Sequence, residues 1–178
     1  MLKYDIINKK EDVCMIKLKL RRSPVSTKEY LDFINNNKLA YGIDDFNTKY
    51  VEELENIKND NPTIMFDEET KEDLEISEKK FYDVFYHETL VGMLEIYIRY
   101  DSTAEIVVGI FDEYSGKGFC EKCILEYFNT DDGKLYDTIA LVSTDNPNKD
   151  VMNRILTKLG FKIINEDCTI DYLRNRVN

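Results

Sequence analysis

From Ile16 the chain reads Ile-Lys-Leu-Lys-Leu20, with an apolar residue at every second position. That is the period of a strand with one buried face, so Val13 to Leu20 is predicted as the first strand, stopped by Pro24. Ser26-Thr-Lys-Glu29 has the form of a capping box, a Ser N-cap with Glu three residues later. Tyr30, Leu31, Phe33 and Ile34 give the helix behind it an apolar stripe. Tyr50, Val51, Leu54 and Ile57 predict a second helix from about Thr48 to Asn59, ended by Asn59-Asp-Asn-Pro62. Residues 67–80 (DEETKEDLEISEKK) are dense in charge and read as a solvated connection.

From Lys80 the texture changes. Phe81–Tyr86 and Leu90–Ile98 are aromatic and β-branched runs, joined by His87-Glu-Thr as a hairpin connection. Glu105–Phe111 is a third run, reached through the Asp101-Ser-Thr turn, and the three form an antiparallel meander. Gly116 and Gly118 follow, then a helix with Phe119, Cys123, Ile124 and Tyr127 on one face. Asp131-Asp-Gly133 closes it, with Gly133 in a left-handed C-cap region. Thr138–Val142 is a strand and Val151–Leu159 a helix ended by Gly160. Phe161–Ile164 and Thr169–Leu173 are the last two strands. The order is β-α-α-β-β-β-α-β-α-β-β. Its strand–loop–helix–strand stretch is a crossover, which requires parallel pairing. The expected class is α/β (α+β): a mixed, mostly antiparallel central sheet of about six or seven strands flanked by about four helices.

Composition narrows the uses of such a sheet. At 178 residues one domain spanning 1–178 is expected, and 43% hydrophobic residues suffice for its core. No apolar run approaches the roughly 20 residues of a membrane helix, and Met1 to Asp12 lacks the apolar region of a secretory signal. A net charge of -11 argues against nucleic-acid binding, which needs a basic face. His87 is the only histidine, which excludes multi-His metal sites, and no metal is expected. Cys14, Cys120, Cys123 and Cys168 form no regular framework, so reduced thiols and a cytoplasmic location are expected.

The chemistry concentrates in residues 104–128. A strand runs into a loop with two glycines, and a helix starts at once. Free backbone N–H groups and the positive end of a helix dipole then meet at one place, a setting that binds phosphate. Gly116 and Gly118 permit a tight turn and close approach of an anion. Cys120-x-x-Cys123 has redox spacing, but its loop is Gly-Lys-Gly and Cys123 falls on the apolar stripe, so both are read as structural.

Asp112-Glu-Tyr-Ser-Gly-Lys-Gly-Phe-Cys120 resembles, without a gap, the acyl-CoA-binding segment of the GNAT superfamily of N-acetyltransferases, whose motif is Arg/Gln-x-x-Gly-x-Gly/Ala. Arg154-Ile-Leu-Thr-Lys-Leu-Gly-Phe161 is similar to that family's last helix and following strand. The likeness covers roughly residues 80–165 well, looks most like the Rim-type branch acting on ribosomal-protein amines, and reaches the N-terminal third by element order alone. Ser115 stands where the family has Arg or Gln, and Cys120 where it has Gly or Ala. Leu156 replaces a Tyr that in many members protonates the thiolate.

The resemblance implies the GNAT-like acyl-CoA N-acyltransferase fold, with 80–165 as the acyl-CoA core and 13–66 on the acceptor side. It implies acetyl-CoA as co-substrate and a primary amine as acceptor: a protein N-terminus, a lysine or a small cationic amine. The pyrophosphate would sit on the N–H groups of Gly116, Lys117, Gly118 and Cys120, with Phe119 and Ser115, which still supplies a backbone N–H, as further cofactor contacts. The pantetheine arm would pair with Ile110 and Phe111. Glu105 is the expected general base, since histone-type members carry a working Glu in a similar run. Ser143 and Asn146, after the next strand, are candidates to assist the leaving thiolate, Asn146 also as a cofactor contact. A monomer or homodimer is expected. The competing reading is a catalytically silent CoA-binding or regulatory module that keeps the fold.

Overall fold

The structure is a computed structural model that describes residues 16–20, 64–66 and 73–177, with 64–66 and 73–75 described by backbone alone. Both helices predicted for the N-terminal third lie outside the described residues. Among the described residues eight strands form one sheet: β1 (Ile16–Leu20), β2 (Ile64–Phe66), β3 (Asp73–Tyr86), β4 (Thr89–Arg99), β5 (Thr103–Ile110), β6 (Asp137–Ser143), β7 (Lys162–Glu166) and β8 (Thr169–Arg174). They run in the order β1-β3-β4-β5-β6-β8-β7, with β2 paired along β3. Of the described pairings only β5–β6 is parallel. The three described helices are α1 (Phe119–Asn129), α2 (Asp131–Leu135) and α3 (Lys149–Lys158). β2 was not legible in the sequence, because three residues are too short to show a period.

Side-chain alternation gives the sheet two different faces. Leu94, Ile96 and Ile98 of β4 lie level with Val108, Ile106 and Ala104 of β5. They pack with Phe119, Cys123, Ile124 and Tyr127 of α1 and Leu156 of α3 in one core. Each such large apolar side chain contributes about 1.5–3 kcal/mol by leaving water. The opposite face carries a second buried set, Ile76, Phe81 and Met93, and with it one buried charge, Glu95.

Two sequence expectations are corrected. Residues 73–80 are not a solvated connection but the first half of β3, because tertiary partners satisfy their charges. Lys79 lies over the Tyr97 ring at 5.1 Å, and Ser77 Oγ donates to the Ile98 carbonyl at 3.0 Å. Nor does Gly133 form a left-handed cap. α1 ends at Asn129, and Thr130 then caps α2 by accepting from the Gly133 N–H at 3.1 Å. A Cβ at Gly133 would lie 2.2 Å from the Tyr127 carbonyl oxygen, so this glycine serves close approach. Gly160, at φ 87°, does end α3 in the left-handed region.

Lys80 ties β3 to α2 through both carboxylate oxygens of Asp132, at 2.9 and 2.8 Å. Burial lowers the Lys80 pKa, but the hydrogen bond and charge of Asp132 outweigh it and raise it above the ordinary 10.5. A raised cation pKa stabilises the fold fully below the unfolded value and loses that contribution as pH rises through the folded one. Lys80→Met should therefore cost about 1–2 kcal/mol at pH 7–9. In urea unfolding the gap to wild type should narrow above about pH 10.5.

Candidate acyl-CoA site

The site begins where a ladder stops. β5 and β6 pair only through Thr103–Glu105 and Asp137–Ile139. Beyond that, β5 continues to Ile110 along β4, and β6 continues to Ser143 along β8. The two strands therefore part company, and the edge of β5 from Ile106 onward faces a gap. Strand alternation decides which groups reach it. The Phe111 N–H donates to the Val91 carbonyl at 3.0 Å, so it belongs to the β4 side. Ile110 and Val108 then turn their backbone groups toward the gap. Of the two residues expected to pair with a pantetheine arm, the geometry leaves Ile110, with Val108 as its neighbour.

The loop after β5 gathers donors. Asp112–Tyr114 forms a 3-10 turn, and the Ser115 N–H closes it on the Asp112 carbonyl at 3.0 Å. Ser115 therefore does not offer the free N–H expected of it, and what remains is its exposed hydroxyl. Gly116 and Gly118 have φ of 72° and 76°, and Gly118 caps α1 with no side-chain hydrogen bond. Among the described residues nothing accepts from the N–H groups of Gly116, Lys117, Gly118, Phe119 or Cys120. Among the described residues a Cβ at either glycine meets no atom within 4 Å, so the loop is open on that side. Side-chain charge adds little there. Asp112 and Glu113 flank the loop, and Lys117 Nζ donates to the Glu113 carbonyl at 2.9 Å while lying 5.3 Å from the Tyr114 ring centre.

The start of α3 is brought beside the start of α1, with Cys120 Sγ 3.8 Å from Met152 Sδ. Burial, then the charge of Glu121, pushes the Cys120 thiol up to about 12. Burial also raises Cys123, with Cys120 and Glu126 adding to it. Both are protonated packing groups, in keeping with their structural reading.

Ser143 and Asn146 build the turn between β6 and α3. Ser143 Oγ accepts from the Asp145 N–H at 3.3 Å, and Asn146 Oδ1 accepts from the Asn148 N–H at 2.8 Å. Among the described residues nothing accepts from the Asn146 amide nitrogen or the Ser143 hydroxyl. Glu105 lies on the face away from α1, level with Ile139 inside the paired stretch, and its carboxylate is held by the Arg99 guanidinium. It is short of the gap rather than in it. Tyr172 is buried in the core with Leu156 of α3, and among the described residues its hydroxyl has no partner. Burial, then Glu166, raises its pKa.

Sequence reasoning missed Glu95. It was the only acid in Leu90-Val-Gly-Met-Leu-Glu-Ile-Tyr-Ile98, an otherwise apolar and aromatic run, and that interruption was the available signal. In the structure it is 2% exposed and accepts from the Tyr97 hydroxyl. Among the described residues no group of His, Cys, Asp and Glu side chains converges to hold a metal ion. His87 sits at the tip of the β3–β4 hairpin, by an open concavity against β1 that lacks a buried polar group.

No family model matches the chain, and no curated protein matches its sequence. Solved structures do. The Campylobacter jejuni N-acetyltransferase PseH, in complex with acetyl coenzyme A, matches 92% of this chain and 100% of its own at TM-score 0.59 and 17% identity. An acetyltransferase from Thermus thermophilus matches 89% of this chain and 96% of its own at TM-score 0.57 and 17% identity. A Bacillus subtilis acetyltransferase in complex with CoA matches 90% of this chain and 100% of its own at TM-score 0.56 and 15% identity. At such identities the likeness is one of fold: the chain has the GNAT acetyltransferase fold.

The residues fit an anionic, strand-like ligand: unpartnered N–H groups, an open glycine loop and an unpaired strand edge. Gly118→Val would force a β-branched residue to φ 76° and project it into the open side. Calorimetric titration with acetyl-CoA should show affinity reduced at least about 100-fold. Unchanged affinity would refute the loop assignment.

Proposed function

We propose that the chain is an N-acetyltransferase that moves the acetyl group of acetyl-CoA to a primary amine by direct attack. The observation that carries this reading is the coincidence of a broken parallel ladder with a donor-rich helix start at the same end of the sheet. The N–H groups of Gly116 to Cys120 bind the pyrophosphate. The Val108–Ile110 edge aligns the thioester arm, and an N–H on that edge stabilises charge developing on the carbonyl oxygen. α1 and α3 seal one face of the gap, so the amine approaches from the other. The complexes of PseH with acetyl coenzyme A and of the Bacillus subtilis protein with CoA support the choice of donor.

The acceptor is a protein N-terminus, a lysine or a small cationic amine. The net charge of -11 favours a cation by long-range steering. The face it would meet carries Asp83, Glu95 and Glu105 but also Lys19, Lys79 and Arg99, so local charge selects less than the overall field. The reading includes a cytoplasmic site of action, supported by Cys120, Cys123 and Cys168 as free thiols.

A specific observation favours the silent module as the second reading. Leu156, standing where many members have the thiolate-protonating Tyr, is fully buried, so no donor replaces that Tyr on α3. Two measurements separate the readings. Acetyl-CoA at 100 times its Kd should stabilise the protein by about 2.7 kcal/mol, roughly 5–10 °C in melting temperature. Thiol release with a panel of amines should then exceed the protein-free rate. Stabilisation without release on any amine would favour the silent module, and no stabilisation would exclude both.

A further inference from the structure

Gly92 is a buried glycine inside β4, in the run Leu90-Val-Gly-Met-Leu94, where a glycine weakens a strand and marks a close backbone approach. By alternation it shares the α1 face with Leu94 and Ile96, which pack in the core, and it lies level with Ile110 of β5. A Cβ built there would collide with the Gly109 carbonyl oxygen and lie 3.0 Å from Ile110 Cα. The Gly109 carbonyl therefore leans out of the sheet toward α1, into the space that a side chain at Gly92 would take. The peptide joining Gly109 to Ile110 is planar and trans, so its N–H points opposite to its carbonyl. Hydrogen-bonded and non-hydrogen-bonded pairs alternate along an antiparallel ladder. The Phe111 N–H donates to Val91, which makes Gly92 and Ile110 a non-hydrogen-bonded pair. The Ile110 N–H thus turns away from β4, enters the gap and tilts toward the face that α1 does not cover.

We propose that Gly92 is a positioning residue: by leaving room for the Gly109 carbonyl, it aims the Ile110 N–H at the thioester carbonyl oxygen, on the side from which the amine attacks. This rests on the transferase reading above. The amine nitrogen bonds to the carbonyl carbon, and an electron pair moves onto the carbonyl oxygen, where the Ile110 N–H stabilises it. The pair returns as the C–S bond breaks, and the sulfur leaves with the electrons of that bond. Of the two protons an ammonium group sheds, one goes to solvent and one to the sulfur, giving the amide and the free thiol. Gly92 touches none of these atoms and acts only through the peptide it admits. Val108, the other residue whose backbone turns toward the gap, lies level with Leu94, whose side chain leaves no room for the same tilt.

The test uses the full chain, the best amine from the panel and acetyl-CoA carrying carbon-13 at the thioester carbonyl. In wild type the infrared stretch of the bound carbonyl should lie below that of free acetyl-CoA, as a hydrogen bond to its oxygen requires. In Gly92→Ala it should return toward the free value. The acetyl-CoA thermal shift should persist and its KM stay within about twofold of wild type, since residues 116–120 are untouched, while kcat falls about 100-fold. A purely structural glycine would lower the melting temperature without that split or the change in frequency. A kcat within about threefold of wild type, or a carbonyl frequency the same in both proteins, overturns the assignment. Should Gly92→Ala show no cooperative melt, residual dipolar couplings of the wild type decide. An Ile110 N–H in the plane of the β4–β5 ladder overturns the assignment, and one tilted to the face opposite α1, with a lowered carbonyl frequency, supports it. A wild type that binds acetyl-CoA but acetylates no amine overturns the transferase reading and this one together. Turnover that ignores Gly92 overturns only this one.

Discussion

The architecture depends on where one hydrogen-bond ladder ends. β5 and β6 run parallel and hold each other for only three residues each. After that, β4 keeps β5 and β8 keeps β6, so the two strands follow different neighbours. A twisted sheet tolerates such a break only if the exposed edge finds another partner or stays wet, because unpaired backbone groups are costly when buried. Here the break lies at the carboxyl ends of two parallel strands, each followed by a loop and a helix start. Backbone donors from strand edge and helix termini thus share one opening.

That arrangement resolves a charge problem. A chain of net charge -11 repels an anion at long range. The site answers with N–H groups rather than with lysines. Lys117 lies across its own loop, and Asp112 and Glu113 sit beside it. Dipoles act over one turn of helix and a surface field over about a Debye length, roughly 8–10 Å, so the two can differ in sign at neighbouring places. The glycines are what make the donors usable, since a side chain at Gly116 or Gly118 would stand in the open side of the loop.

The C-terminal part of the sheet was legible because its faces differ in polarity. Phe119, Cys123, Ile124 and Tyr127 recur at helical spacing and are the residues α1 buries. Residues 73–80 misled because charge density argues for solvent, whereas β4 and Asp132 supplied partners from distant sequence. The loop of the candidate site was legible down to its glycines, but the direction of each N–H was not. Ser115 and Phe111 spend theirs inside the protein, and a motif cannot show which donors are already used.

Sequence by itself determined the period of each element, the crossover that forces one parallel pair and the glycine loop that starts α1. These are properties of neighbours along the chain, fixed by local sterics and by which face is apolar. Only the tertiary structure decided what each strand carboxylate meets. Glu105 and Glu95 both lie in strands with the same apolar context, yet Arg99 holds the first, while the sheet buries the second and the Tyr97 hydroxyl donates to it. That difference comes from register between strands, which is set by side chains far apart in sequence meeting across one sheet.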